Sequence, residues 1–137
     1  MSLMSEAPAP RASALASVHH VSLSVRDLAR SVQWYSEVLG FNVVREVDGA
    51  GFTRAVLGDA RHGTAVFGLT QHRANRGDGF SEAHTGMDHV AFAVGSQTEL
   101  DRWRGHFDGL GVAHSSPRPG LVVLRDPDDI QLELCAP

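Results

Sequence analysis

Apolar residues alternate with small or polar residues along His20–Val25, and this period of two predicts a β-strand. One face of the predicted strand carries two valines and a leucine, and the other carries His20, Ser22 and Ser24. The same alternation returns along His89–Val94, where two alanines follow the histidine on its face. Each strand therefore has one face suited to a core and one face on which a histidine stands beside small residues, leaving room for a ligand.

The two strands belong to an internal repeat with an offset of 69 positions, which pairs His20 with His89 and Trp34 with Trp103. A helical pattern follows each strand, and three further strand-like patterns follow each helix. Each half of the chain is therefore predicted to be strand–helix–strand–strand–strand. Two similar halves of this kind indicate a duplicated unit folded with pseudo-twofold symmetry.

Capping residues mark the ends of both predicted helices. Asp27 is a candidate N-cap for the first helix, and Ser96–Glu99 has the form of a capping box for the second. Gly40 and Gly111 stand where the helices are expected to stop, since glycine adopts the left-handed conformation of a C-cap without strain.

Length and composition predict one compact domain, because the chain has 137 residues and 42% hydrophobic content. A formal net charge of -4 gives no footprint for nucleic acid or an anionic membrane. No apolar run reaches the roughly 20 residues of a membrane-spanning helix. The single cysteine, Cys135, excludes an intramolecular disulfide and a cysteine-based zinc site, and it is typical of a cytoplasmic protein.

The predicted organisation is a disordered tail at 1–16 and a single domain at 17–137. Within the domain, module one covers 17–71 and module two covers 87–137. The stretch 72–86 is rich in glycine and polar residues, and it is predicted to be a linker or a lid over a site.

The chain resembles the vicinal oxygen chelate superfamily in four features. These are the order of the elements, the paired His-Val strands, the Leu-Gly helix ends and the closing segment Asp126–Leu134. That superfamily includes glyoxalase I, bleomycin- and fosfomycin-resistance proteins and extradiol dioxygenases. The resemblance implies an α+β fold in which two pseudo-symmetric βαβββ modules form a cupped, largely antiparallel eight-stranded sheet around a metal ion.

Glu133 is the third candidate ligand, because it alternates with the apolar residues of the last predicted strand and faces away from them. The alternation alone fits an ordinary exposed strand residue equally well. The resemblance implies that this face lines the same cup as His20 and His89. Two imidazoles and a carboxylate are suited to Fe²⁺, Mn²⁺, Zn²⁺ or Ni²⁺.

The chain departs from the glyoxalase pattern at the fourth ligand, which many glyoxalase-type members carry on the last strand of the first module. The counterpart of Glu133 on that strand is Gly68, Phe67 or Val66, and none of them can bind a metal. This predicts three protein ligands with open positions, as in non-haem oxygenases. It weakens a glyoxalase reading without excluding it, since His72 at the end of the strand could approach the metal.

The pattern of extradiol dioxygenases is matched only in part. His114 and Asp126-Pro127 fit it, but the position of its substrate-binding tyrosine is taken by Val123. Asp129 replaces a usual glycine and is expected to adopt the left-handed conformation of that turn.

The remaining candidates fall into two groups, each weighed against an ordinary surface or packing role. The candidate proton-transfer residues are His114 and His72. The candidate substrate-binding residues are Ser22, Ser24, Phe80 and His84, with Arg54 and Arg125 as possible partners of a substrate acid.

These observations predict a metal-dependent enzyme, dioxygenase-like, that chelates vicinal oxygens of a small substrate through a His/His/Glu triad. The alternatives are a glyoxalase I-like lyase or isomerase, a metal-free drug-binding protein of the bleomycin-resistance kind, and a site in which the metal is only structural. A homodimer is expected. The sequence leaves open whether the two modules pair within one chain or between two.

Overall fold

The computed structural model describes residues 2–9, 11–59 and 65–137, and for residues 65 and 66 it describes the backbone only. Its first module contains β1 (Val21–Ser24), α1 (Leu28–Leu39), β2 (Phe41–Gly49), β3 (Phe52–Asp59) and β4 (Ala65–His72). Its second module contains β5 (Val90–Ala93), α2 (Gln97–Leu110), β6 (His114–Ser115), β7 (Leu121–Arg125) and β8 (Gln131–Cys135). The two βαβββ modules and the α+β class are confirmed.

The eight strands are divided between two four-stranded sheets, ordered β1-β4-β3-β2 and β5-β8-β7-β6. Each sheet has one parallel pair, β1 with β4 and β5 with β8, and is otherwise antiparallel. No ladder joins the two sheets within the described ranges, so they do not form one continuous sheet inside the chain. The strands that follow the two histidines, β1 and β5, are therefore edge strands.

The predicted caps of both helices are confirmed. Asp27 accepts a hydrogen bond from the Arg30 amide at 3.1 Å, and Ser96 accepts one from the Glu99 amide at 3.1 Å. Gly40 and Gly111 end the helices in the left-handed conformation, with φ of 76° and 69°. The caps therefore set where each helix begins and ends, and so where the chain turns back into the strand that follows.

The apolar faces of both modules meet in one core. Phe92 of β5 packs 5.7 Å from Phe41 and 5.6 Å from Phe67, measured between ring centroids. Tyr35 on α1 is fully buried beside Phe67. Because the core takes the apolar side of β1 and of β5, the small-residue faces of both strands point outward.

A polar cluster ties α1 to the turn before β8. The Tyr35 hydroxyl donates to Asp126 at 2.7 Å, and the Arg26 guanidinium donates to Asp128 at 2.7 Å. Both aspartates are buried, with 6% and 5% of their surface exposed. Asp129 adopts a φ of 67°, as its replacement of a turn glycine predicts.

The segment between the modules, residues 73–89, contains turns but no helix or strand. The Phe80 amide donates to the Asp128 carbonyl at 3.0 Å, and the Asn75 side chain donates to the Val25 carbonyl at 3.3 Å. The segment is thus fastened to both modules. Among the described residues, no helix is long and apolar enough to cross a membrane.

Candidate metal centre

His89 and Glu133 face each other at the open side of the second sheet. The parallel register pairs Ala91 with Glu133, which places His89 two residues before that pair, at the start of β5. The His89 Nε2 atom lies 3.7 Å from the Glu133 Oε1 atom. The Glu133 side chain is 14% exposed and the His89 side chain 40% exposed, so the pair stands at a protected but accessible edge.

The ring of His89 is oriented by the residue that precedes it. Its Nδ1 atom lies 2.7 Å from an Asp88 carboxylate oxygen, and this hydrogen bond raises the pKa of His89. An N–H at Nδ1 leaves the lone pair of the neutral ring on Nε2, the atom that faces Glu133. A carboxylate behind a histidine is the usual outer partner of a metal ligand.

The carboxylate of Glu133 is held from its other side. The side-chain amide of Gln131 donates to Glu133 Oε2 at 2.9 Å, which leaves Oε1 directed at His89. Gln131 in turn accepts a hydrogen bond from Arg125 at 3.2 Å. Arg125 also binds both carboxylate oxygens of Glu82, at 2.8 and 3.1 Å, and lowers the pKa of Glu82 to about 2.

This pair fits a divalent metal ion. Ligand bonds of about 2.0–2.2 Å at tetrahedral angles separate neighbouring ligand atoms by about 3.5 Å, close to the observed spacing. The acceptor atoms that face each other, His89 Nε2 and Glu133 Oε1, are the two that the hydrogen bonds from Asp88 and Gln131 leave free. The residues therefore supply two candidate ligands with outer partners already in place.

Replacing Gln131 by methionine is expected to weaken divalent metal binding by about 10- to 100-fold, the usual effect of losing an outer partner of a ligand. Methionine keeps the length of the side chain but cannot donate to Glu133. The measurement is the Kd for Mn²⁺ by isothermal titration calorimetry. Gln97→Met is the matched control, because Gln97 lies on α2 and bonds Asp101. An unchanged Kd in Gln131→Met would show that Glu133 needs no such support.

His20 lies apart from this pair. It is exposed immediately before the edge strand β1, and its Nδ1 atom is 2.9 Å from the His19 Nδ1 atom. Across the described ranges, no three His, Cys, Asp or Glu side chains come together as a group that could hold a metal. One chain thus presents a pair of candidate ligands on module two and a single candidate on module one.

The strand registers identify the counterpart of Glu133 in module one. Ala91 pairs with Glu133 in the second sheet, and Ser22, its equivalent, pairs with Gly68 in the first. Of the three positions compatible with the sequence, Gly68 is the equivalent one. A Cβ atom there would lie 3.1 Å from the Ser22 hydroxyl, so this position is closely packed as well as free of a ligand.

His114 is placed away from this centre. It pairs with Leu124 on the core side of β7, whereas Glu133 pairs with Val123 on the opposite face. Its ring lies 5.6 Å from that of Phe107, and its Nε2 atom is 3.4 Å from Asp108. The predicted proton-transfer role of His114 therefore does not fit its position.

His72 shares the outward face of module one but lies four residues beyond Gly68 on β4, about 13 Å along the strand. That distance is too long for an imidazole to join a metal held at the level of Gly68. Phe80 packs against the core. His84 is exposed in a turn, where its backbone amide donates to the Ser81 carbonyl.

Ser22 and Ser24 are exposed on the outward face of β1, beside His20. The Ser22 hydroxyl is 2.9 Å from that of Thr70. Both serines therefore remain candidates for contact with a ligand on this face.

The two residues that orient the candidate ligand pair were not among the sequence predictions. Asp88 directly precedes His89, and Gln131 stands two positions before Glu133 on the same face of β8. The period-two pattern that selected Glu133 also contains Gln131, so this signal was present in the sequence.

A protein-family model described as the Glyoxalase/Bleomycin resistance protein/Dioxygenase superfamily matches residues 17–134. A probable lactoylglutathione lyase from Synechocystis sp. is 31% identical over 125 residues, covering 84% of this chain and 91% of the relative.

Two solved structures show the same architecture. A glyoxylase/bleomycin resistance protein/dioxygenase domain from Frankia sp. EAN1pec has 32% identity and a TM-score of 0.80, covering 90% of this chain and 93% of that one. The trypanothione-dependent glyoxalase I of Leishmania major has 25% identity and a TM-score of 0.68, covering 88% and 86%. The chain therefore belongs to the glyoxalase/bleomycin resistance protein/dioxygenase superfamily, the vicinal oxygen chelate fold.

Proposed function

We propose that this protein is an enzyme that uses a divalent metal ion to bind a small substrate through two neighbouring oxygens. The proposed ligands are His20, His89 and Glu133. The observation that carries the proposal is the 3.7 Å approach of His89 Nε2 to Glu133 Oε1, with both side chains oriented from behind.

We further propose that the site forms between two copies of the chain. His20 of one protomer would complete a ligand set with His89 and Glu133 of the partner subunit. Edge strands β1 and β5 support this arrangement, because each leaves one side of its backbone without a partner strand among the residues that the structure describes. Their outward residues, two serines and two alanines, are small enough for close approach and for a substrate.

A bound divalent ion would supply Lewis acidity to the chelated oxygens of the substrate. The protein's part is to orient the His89 ring with Nε2 toward Glu133, through the hydrogen bond between Nδ1 and Asp88, and to orient the Glu133 carboxylate, through Gln131. Ala91 and Ala93 keep the adjoining surface clear. Ser22, beside Gly68, can hydrogen-bond a substrate oxygen from module one.

The reaction we favour is dioxygenase-like. Gly68 leaves three protein ligands and open positions for a substrate and a second molecule, the arrangement of non-haem oxygenases. Gly68 also removes the second carboxylate with which glyoxalase I moves protons.

A glyoxalase I-like lyase is the second candidate. The 31% identity to a probable lactoylglutathione lyase favours it, and so does the 25% identity to a glyoxalase I. In such an enzyme, another group than a carboxylate at position 68 would have to move the proton.

Metal content of the purified protein tests the proposal. We expect about one divalent ion per chain, and a loss of that ion in His89→Ala at unchanged folding by circular dichroism. His106→Ala, on α2, is the matched histidine control and should retain the ion. Oxygen uptake with catechols, against loss of a hemithioacetal, then separates the dioxygenase from the lyase.

If the folded wild-type protein takes up none of Fe²⁺, Mn²⁺, Zn²⁺ or Ni²⁺, the proposal of a metal-dependent enzyme is refuted, and a metal-free binding protein is favoured instead. Metal retained in His89→Ala would refute the ligand set.

A further inference from the structure

Arg54 occupies the outward face of module one, on the same side of the sheet as Gly68. It pairs with Thr70 on β4, and Thr70 follows Gly68 by two positions. The same face carries Ser22 and Ser24, and His20 precedes them. Measured along the strand direction, Arg54 thus lies about 7 Å from Gly68, the counterpart of the proposed ligand Glu133.

The guanidinium of Arg54 is held in place by two neutral contacts. Its Nε atom donates to the Thr70 hydroxyl at 2.8 Å, and that hydroxyl is 2.9 Å from the hydroxyl of Ser22. Thr70 is only 3% exposed, so this anchor is fixed. The Cζ atom of Arg54 lies 4.6 Å from the centroid of the Phe52 ring.

Arg54 has no carboxylate partner among the residues that the structure describes, unlike Arg26 and Arg125. Arg26 is paired with Asp128, and Arg125 is paired with Glu82. The contact with Thr70 uses Nε, which leaves the edge formed by the two terminal nitrogens available. Two parallel N–H donors on that edge match the two oxygens of a carboxylate.

We propose that Arg54 binds a carboxylate group of the substrate, separated by several bonds from the two oxygens that the metal chelates. This assignment rests on the proposed function, and it narrows the substrate to an acid. The fixed position of Arg54 favours a distinct anion subsite, since a guanidinium ordered before binding loses less rotational freedom when the acid binds. A neutral substrate would leave this cation without a counter-charge.

The test compares two catechols that differ only in charge, 3,4-dihydroxyphenylacetate and 3,4-dihydroxyphenylacetamide. Both are titrated into the Mn²⁺-loaded protein without oxygen, and their Kd values are measured by calorimetry. We expect the carboxylate to bind about tenfold more tightly, as one charge-assisted bidentate pair provides. Arg54→Met should abolish that preference while leaving the Kd for Mn²⁺ and the unfolding transition unchanged.

Arg102→Met is the matched control, because Arg102 pairs with Glu99 on α2 and should keep the preference. Arg54→Lys keeps the charge but loses the paired donors, so it should retain only part of it. Equal binding of both catechols to the wild type would overturn the anion subsite while the metal site stands. Failure of the wild type to bind Mn²⁺ would instead overturn the proposed function and this assignment with it.

Discussion

An equal mixture of His20→Ala and His89→Ala chains is expected to regain about one quarter of the wild-type metal content, although neither variant alone binds metal. Random pairing makes half of the dimers mixed. In each mixed dimer, the His20 of one protomer meets the His89 and Glu133 of the partner subunit with all three residues intact. The second site of that dimer lacks both histidines. One of four sites is therefore restored.

The two variants are unfolded together in urea, refolded by dilution and separated from free Mn²⁺ by gel filtration, and metal per chain is then measured. The matched control mixes His89→Ala with Glu133→Ala. Both of those residues lie on module two, so every site in their mixed dimers is missing one of them, and no metal should return. This control separates true complementation from metal trapped during refolding.

A mixture that regains none, from a wild type that binds one ion per chain, would place all three ligands in a single chain. That result would require the modules to rearrange, since no such group of three exists among the described residues.

The face on which Glu133 lies could be predicted from the sequence, because a strand has a period of two. Leu132 and Leu134 are buried and Glu133 between them is not, as the alternation requires. The same pattern placed Ser22 and Ser24 on the exposed side of β1. The caps could be predicted as well, because capping depends on the types of the residues within one turn of a helix end.

The meeting of the two modules could not be predicted in this way. Alternation shows that Phe92 points to a core but gives no sign of which sheet supplies it, and the rings of Phe41 and Phe67 do so. This contact directs the histidine faces outward. For His114, a strand of two residues has too few positions to show its phase. Only pairing with Leu124 and Val123 reveals that it faces away from Glu133.

Asp126→Ala is expected to lower the free energy of unfolding by about 3 kcal/mol, because it leaves several buried donors without an acceptor. Asp126 accepts the Tyr35 hydroxyl at 2.7 Å and the amides of Asp128 and Ile130 at 2.8 and 2.9 Å. Tyr35 is fully buried, so water cannot replace the lost acceptor. Urea unfolding followed by circular dichroism measures the change.

Asp126→Asn should lower that free energy by about 1–2 kcal/mol at neutral pH, less than Asp126→Ala, because only the Tyr35 hydroxyl hydrogen loses its acceptor. The asparagine oxygen can accept both amides, and its nitrogen can donate to the Tyr35 oxygen. Comparison of the two variants separates the loss of hydrogen bonds from the loss of charge. Asp101→Ala on α2 is the matched surface control and should stay within about 0.5 kcal/mol of the wild type.

The pH dependence gives the same cluster a second signature. Burial raises the pKa of Asp126 above its usual value, although the hydrogen bonds from Tyr35 and the two amides oppose that rise. A carboxyl group with a raised pKa in the folded state contributes stability below the pKa of the unfolded state and loses it as the pH rises through the folded value. The wild type should therefore lose stability relative to Asp126→Asn as the pH rises from about 4. A constant difference in stability between the two proteins across that range would mean that burial does not disfavour the charged form of Asp126. In the urea experiment, a loss of unfolding free energy below about 0.5 kcal/mol in Asp126→Ala would show that this cluster does not hold the modules together.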